Sequence, residues 1–292
     1  MNIGKLGVWT FFDAMPAADT AAAAQRIEAL GYPALWIPEA VGREVFAGAA
    51  FLLASTSKLV VASGIANIYA RDAMTMSAGR NTLAEQSGGR FLLGIGVSHR
   101  PLVSGVRGHA WDKPYSYMRD YLEAMEKAPY SAIPPTEAAP MVIGALHPKM
   151  LALAAGKTRG AHPYLVPPEH TAFARETMGP DAWICTEQKV LLETDPTKAR
   201  AVARNTIAMY LRLPNYRTNL ERFGYKDEDF EHMGSDRLVD AIVAWGDEKA
   251  IAARIQAHHD AGANHVCIQP VHPLGMPLPD WNVLEAFAPA KN

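Results

Sequence analysis

Short apolar runs alternate with helical patterns along this chain, and that alternation most constrains its fold. Open doubly wound sheets usually have fewer strands, whereas eight strand–helix units within 292 residues fit a (β/α)8 TIM barrel. The predicted fold class is therefore α/β, with one barrel domain over residues 1–292 and excursions near residues 99–140 and 212–236. Residues 213–233 are predicted to be irregular, and a helix is predicted over residues 236–245. The eight predicted strands lie at residues 3–11, 34–37, 59–65, 91–95, 141–145, 161–166, 183–192 and 263–269.

Composition and charge narrow the class of protein. Hydrophobic residues make up 49% of the chain, enough for a substantial core, and the net charge of −2 argues against nucleic acid as a partner. No apolar segment approaches the roughly 20 residues of a membrane helix. The first residues carry no signal-peptide pattern, and Cys185 and Cys267 do not form a disulfide framework. We expect a cytoplasmic protein with no membrane association.

Candidate site residues are those that follow the strands, because active sites of such barrels lie at the carboxyl ends of the strands. The sequence contains no His-Glu-x-x-His or Cys-x-x-Cys motif, so we predict no metal site. It also lacks a Gly-x-Ser-x-Gly elbow, and nothing marks either cysteine as an activated nucleophile. Nucleophilic catalysis is therefore not favoured.

The predicted fourth strand ends in Gly94-Ile95-Gly96 and is followed closely by His99. These glycines are not a dinucleotide fingerprint, because the third glycine is missing and no helix begins at once. One interpretation is a strand end that needs positive φ. His99 is either a solvated loop histidine or a group that donates a proton or contacts a ligand.

A possible anion site follows the fifth and sixth predicted strands. Gly144, Ala145, Leu146 and His147 connect a strand to a helix that begins at Pro148. Free N–H groups at a helix start attract phosphate, although an ordinary strand–helix turn has the same pattern. The segment 162–171, which includes Val166 and His170, begins a second helix. The two helix starts together would form one anion pocket.

Glu39 follows the second predicted strand. Its carboxylate is either solvated or binds a hydroxyl group of a cofactor.

Four segments together resemble the bacterial luciferase-like monooxygenase superfamily, in particular its branch that uses the deazaflavin coenzyme F-420. Each segment is weak alone, but their order and spacing are specific. The resemblance implies a luciferase-like TIM barrel with insertions at the mouth, often as a homodimer. The segments span residues 29–39, 62–72, 83–96 and 261–266, and include Leu35-Trp36-Ile37-Pro38-Glu39 and Gly88-Gly89-Arg90-Phe91.

The resemblance also implies where a cofactor binds. A flavin or deazaflavin ring would lie over a bulge after the third strand, at Gly64, Ile65 and Ala66, with a cis peptide at Gly64–Ile65. Its phosphate would lie against Gly144, Ala145, Leu146 and His147 and the loop that holds Val166 and His170. Glu39 stands where relatives place an acidic cofactor contact.

Three positions depart from the sugar-phosphate dehydrogenases of that family. Ala40 stands where they have a histidine, and His99 where they have a glutamate near the end of the fourth strand. Both changes argue against the same sugar-phosphate oxidation. Pro167 removes a hydroxyl that would help to hold phosphate.

Three functions follow as hypotheses. The first is an F-420-dependent oxidoreductase that moves a hydride to or from a small organic substrate, with His99 as the acid or base because an imidazole titrates near pH 6.5. The rim residues Arg43, Arg71 and Arg100 favour the polyanionic tail of F-420, and Trp9 and Phe12 could line the ring pocket. The second is an FMN-dependent monooxygenase, and the third a flavin-binding barrel without turnover.

Overall fold

A computed structural model describes residues 1–289 of the chain. Ten strands form one sheet. They are β1 Leu6–Trp9, β2 Ala34–Ile37, β3 Val60–Ser63, β4 Ala66–Asn67, β5 Phe91–Gly96, β6 Met141–Ile143, β7 Gly160–Ala161, β8 Trp183–Leu192, β9 Val243–Gly246 and β10 His265–Pro270.

Twelve α-helices are found among residues 1–289. They are α1 Ala17–Ala29, α2 Val45–Ser55, α3 Ala73–Gln86, α4 Pro114–Lys127, α5 Pro148–Lys157, α6 Pro168–Met178, α7 Pro196–Leu211, α8 Pro214–Arg222, α9 Asp227–Phe230, α10 Asp236–Ile242, α11 Glu248–Asp260 and α12 Trp281–Ala286. A π-helical turn spans Pro101–Val106, and a 3-10 turn spans Glu231–Met233. No helix in this part of the chain is long and apolar enough to cross a membrane.

The sheet closes into a barrel of eight parallel strands. The order is β1, β2, β3, β5, β6, β7, β8 and β10, and β10 pairs with β1 to close the ring, with Val266 opposite Leu6. The predicted (β/α)8 TIM barrel is therefore confirmed. Two short strands lie outside the ring: β4 continues β3 along β5, and β9 pairs in parallel with the last residues of the long strand β8.

The strands of the barrel are buried on both faces. Side chains on the outer face, such as Val8, Leu35 and Val61, pack under the helices in the main core. Side chains on the inner face, such as Trp9 and Trp36, fill the barrel. Strands buried on both sides require the continuous apolar runs seen in the sequence.

Two predictions about the second excursion are wrong. The helix predicted over residues 236–245 ends at Ile242, and Val243–Gly246 is strand β9, because β8 extends far enough to give it a pairing edge. Residues 213–233 were expected to be irregular, but they contain α8 and α9. Tyr216 and Leu220 of α8 lie one turn apart and are buried, which supplies the apolar face that holds this helix in place.

Candidate functional site at the carboxyl end of the barrel

A backbone bulge interrupts the third barrel strand at the mouth. The peptide between Gly64 and Ile65 is cis, as the resemblance implied, and it separates β3 from β4. The buried hydroxyl of Ser63 donates to the carbonyl of Gly94 at 2.8 Å and accepts from the N–H of Gly94 at 2.9 Å. This side chain therefore takes the place of a ladder hydrogen bond where the bulge begins.

The side chain of Ile65 lies against glycines on the neighbouring strands. A Cβ on Gly96 would approach the Ile65 side chain to 2.7 Å, and one on Gly144 would approach it to 3.3 Å. A Cβ on Gly94 would meet the Ser63 carbonyl oxygen at 2.0 Å. Neither Gly94 nor Gly96 has positive φ. The interpretation that this strand end needs positive φ at its glycines is therefore wrong. The glycines leave room for the bulge.

Glu39 is neither solvated nor unpaired. Its side chain is only 4% exposed and forms an ion pair through both oxygens with Arg71, whose side chain is 9% exposed. The carboxylate also accepts the backbone N–H of Asn67 at 2.7 Å. Glu39 thus anchors the strand that leaves the bulge, and this pairing also occupies Arg71.

Asn67 presents an unused donor at the mouth. Its side chain is fully buried, and its Oδ1 accepts the N–H of Tyr69 at 2.9 Å. Its Nδ2 has no partner among the described residues. A buried amide without a partner costs free energy, so a group that binds here and accepts a hydrogen bond would gain affinity.

His99 lies half-buried beside helix α8. Its ring centroid is 5.3 Å from that of Tyr216. Burial lowers the pKa of His99 below its usual value, and contact with the Asn215 side chain partly opposes this shift. The imidazole is therefore neutral at pH 7 and can accept a proton.

An aromatic wall stands next to the bulge. Trp9 donates its indole N–H to the Gly64 carbonyl at 3.2 Å, and its ring lies 5.2 Å from that of Tyr164. The Tyr164 hydroxyl is 3.1 Å from both the Tyr210 hydroxyl and Oε1 of Gln269. Phe12, the other predicted ring contact, packs into the outer core.

A buried ion pair lies beneath that wall. Lys189 Nζ is 3.2 Å from Glu187 Oε1 and 3.9 Å from the centroid of the Tyr164 ring. Burial raises the pKa of Glu187 and lowers that of Lys189, while each charge favours the other. Sequence reasoning missed this pair, although the alternation Glu187-x-Lys189 in a barrel strand points both side chains inward.

The two predicted helix starts lie side by side. His147 precedes α5 and Pro167 precedes α6, and neither side chain caps its helix. The imidazole of His170 donates from Nε2 to the Leu146 carbonyl at 2.9 Å, which joins the two segments. Burial lowers the pKa of His170 to about 4, so this ring is neutral at pH 7.

The predicted rim cations differ in their partners. Arg43 donates to Thr20 Oγ1 and to the carbonyl of Met15, and Arg71 pairs with Glu39 and Glu44. Arg100 is exposed, next to His99. No cluster of metal-ligating side chains occurs among residues 1–289.

Comparison with known proteins places this geometry in a family. The family model described as luciferase-like monooxygenase matches residues 4–265. A Mycobacterium tuberculosis protein named as a coenzyme F-420-dependent oxidoreductase is 24% identical over 92% of this chain and 94% of its own length.

Solved structures share the fold. The F-420-dependent tetrahydromethanopterin reductase of Methanopyrus kandleri superposes with a TM-score of 0.79 at 17% identity, over 99% of this chain and 98% of that one. An F-420-dependent secondary alcohol dehydrogenase, solved with an F-420–acetone adduct, gives a TM-score of 0.77 at 13% identity, over 98% of each chain.

Proposed function

This chain belongs to the luciferase-like monooxygenase family, and we propose on that basis that it is an oxidoreductase that uses coenzyme F-420. The observation that carries the proposal is the bulge at Gly64–Ile65, which lies at the barrel mouth and faces an aromatic wall. The relative from Mycobacterium tuberculosis, which aligns over almost the full length of both chains, supports F-420 as the cofactor.

The residues at the mouth fit a deazaflavin. The backbone of Gly64, Ile65 and Ala66 would support one face of the ring. The unpartnered Nδ2 of Asn67 is a buried donor suited to the carbonyl groups of such a ring. Glu39 would act through Asn67, whose N–H it accepts, because Arg71 already pairs with its carboxylate.

The phosphate would lie at the two helix starts. The loop of Gly144, Ala145, Leu146 and His147 precedes α5, and the segment with Val166 and His170 leads into α6. Val166 and Leu146 are buried and shape the loop, so backbone N–H groups would provide the contacts.

When bound, F-420 supplies a carbon, C5, that takes up or releases a hydride. The protein orients the substrate and handles the proton. In the oxidation of an alcohol, the carbon-bound hydrogen would leave as a hydride to the cofactor and the O–H proton would move to the neutral imidazole of His99, which would leave a carbonyl. The Tyr164 hydroxyl donates to Oε1 of Gln269 and lies 3.1 Å from the Tyr210 hydroxyl, which fixes the aromatic wall beside the bulge.

The cofactor is tested by titrating the purified protein separately with F-420 and with FMN and following fluorescence. We expect micromolar binding of F-420 and turnover with secondary alcohols, assayed as loss of the F-420 absorbance. Tight binding of FMN alone would favour the monooxygenase hypothesis. Binding of F-420 without turnover across a panel of alcohols and ketones would favour a barrel that only binds its cofactor.

A further inference from the structure

Helix α8, from the second excursion, lies across the starts of α5 and α6. Near its beginning, Tyr216 packs on His99 at 5.3 Å between ring centroids. Just after its end, Phe223 packs on His170 at 5.8 Å and on Phe173 at 6.1 Å. The helix therefore spans from the proposed proton acceptor to the proposed phosphate site.

The loop under this helix has unused backbone donors. The N–H groups of Ala145, Leu146 and His147 meet no acceptor within the described part of the chain. By contrast, α7 and α11 begin at Asp195 and Asp247, whose carboxylates accept N–H groups of the first turn. The N–H groups before α5 are left available to an anion.

Asn219 is a buried polar side chain of α8. It is fully buried, and neither Nδ2 nor Oδ1 has a partner among residues 1–289. Residues three and four apart share a helix face, so Asn219 lies between Tyr216 and Phe223. Asn219 therefore lies on the face of α8 whose neighbouring rings, Tyr216 and Phe223, contact His99 and His170.

Arg222 adds a positive charge at the same end. Its guanidinium carbon lies 5.0 Å from the Phe173 ring centroid. Burial lowers the pKa of both His147 and His170, and the charge of Arg222 lowers it further. No salt bridge to Arg222 is present among the described residues, whereas Arg217 on the same helix pairs with Glu221 at 2.9 Å and Asp227 at 2.5 Å.

We infer that Asn219 and Arg222 of α8 bind the phosphate group on the ribityl chain of the cofactor, together with the loop before α5. The inference rests on the proposed function and extends it, because it assigns ligand-binding residues to the inserted helix. The ligand class is a phosphate ester of a ribityl flavin or deazaflavin, which both F-420 and FMN contain.

The charge is tested with Arg222→Met, and Arg217→Met is the matched control. Each variant is titrated with F-420 and with the deazaflavin that carries the ribityl chain without phosphate. A hydrogen bond to a charged group corresponds to roughly a 10- to 100-fold change in affinity. We expect Arg222→Met to weaken F-420 binding by about that factor and to leave binding of the phosphate-free ring unchanged. Equal affinity for F-420 in wild type and Arg222→Met would overturn the role of Arg222.

The amide is tested with Asn219→Leu, which keeps the volume and removes the unpartnered polar atoms. Replacing an unsatisfied buried group by an apolar one is nearly neutral or stabilising. We expect the melting temperature without ligand to stay constant or rise while F-420 affinity falls about 10-fold. A lower melting temperature with unchanged F-420 affinity would show a structural role and overturn the inference for Asn219.

Inorganic phosphate separates the two proposals. We expect phosphate to raise the melting temperature of the wild type and of Arg217→Met, and to raise it less for Arg222→Met. If phosphate does so and F-420 does not bind, the proposed function fails and the anion site stands. If F-420 binds equally well to Arg217→Met and to Arg222→Met, the proposed function stands and the inference fails. If neither binds, both fail.

Discussion

At the scale of single residues, the proposed chemistry rests on His99 and on the absence of a histidine at position 40. Ala40 cannot exchange a proton, and it stands after β2 where the resemblance places a histidine in the sugar-phosphate dehydrogenases. His99 is the half-buried imidazole next to the aromatic wall, and burial lowers its pKa. A neutral imidazole at pH 7 suits it to take a proton from a substrate hydroxyl.

We predict that His99→Asn lowers kcat for alcohol oxidation about 100-fold or more, because general base catalysis contributes roughly that factor. The Kd for F-420 should change less than about twofold, since the proton acceptor acts on substrate. In the wild type, kcat should fall as pH drops through the lowered pKa of His99, because the imidazolium cannot accept a proton. Turnover of His99→Asn equal to the wild type across pH would remove His99 from the mechanism.

At the scale of elements, the barrel mouth depends on the contact between β5 and the bulge that joins β3 to β4. Ile65 fills the space that side chains at Gly96 and Gly144 would otherwise occupy. The strands thus keep their parallel register on both sides of an interruption. Glycine is required at position 96 because the side chain of Ile65, in the bulge, occupies the space beside it.

We predict that Gly96→Ala lowers the free energy of unfolding by about 1–3 kcal/mol, because the added methyl group overlaps Ile65. Combined with Ile65→Ala, the loss should be smaller than the sum of the single losses, since the overlapping atoms are gone. Urea denaturation of the four proteins measures this coupling. Gly156→Ala in α5, where a Cβ meets no atom within 4 Å, is the control and should stabilise slightly. Additive losses would contradict the packing account.

At the scale of the whole molecule, buried histidines in their neutral form connect the strands and helices of the barrel. Burial lowers the pKa of His162, His170 and His265 to about 4, and that of His258 to about 3. His258 donates to Oε1 of Gln188 and pairs with the Thr171 hydroxyl, so both ring nitrogens are satisfied in its neutral form. In the unfolded chain each imidazole has its ordinary pKa near 6.5.

We predict that acid destabilises the fold from about pH 6.5 downward. The unfolded chain binds more protons than the folded one between pH 6.5 and 4, so stability falls with pH, by up to about 1.4 kcal/mol per pH unit for each buried histidine. Urea midpoints measured from pH 8 to pH 5 test this. His258→Gln, which removes one such group, should show a slope smaller by about one histidine. A flat profile between pH 6.5 and 5 would contradict the prediction.

The sequence by itself determined the barrel, the position of its mouth and the place of the bulge. The barrel and its mouth follow from local patterns, namely the alternation of apolar and helical segments and a helix start at Pro148. The bulge in Ser63-Gly64-Ile65-Ala66 was implied by the resemblance to the luciferase-like family. The cis peptide at Gly64–Ile65 and the (β/α)8 barrel are confirmed.

Only the tertiary structure decided which side chains meet. Glu39 pairs with Arg71, 32 residues away, although the sequence left it solvated or free for a cofactor. Helix α8, predicted as irregular chain, buries the unpartnered amide of Asn219 and places Arg222 against Phe173 of α6. The physical reason is that closure of the barrel brings together residues far apart in sequence, and local patterns hold no information on those pairings.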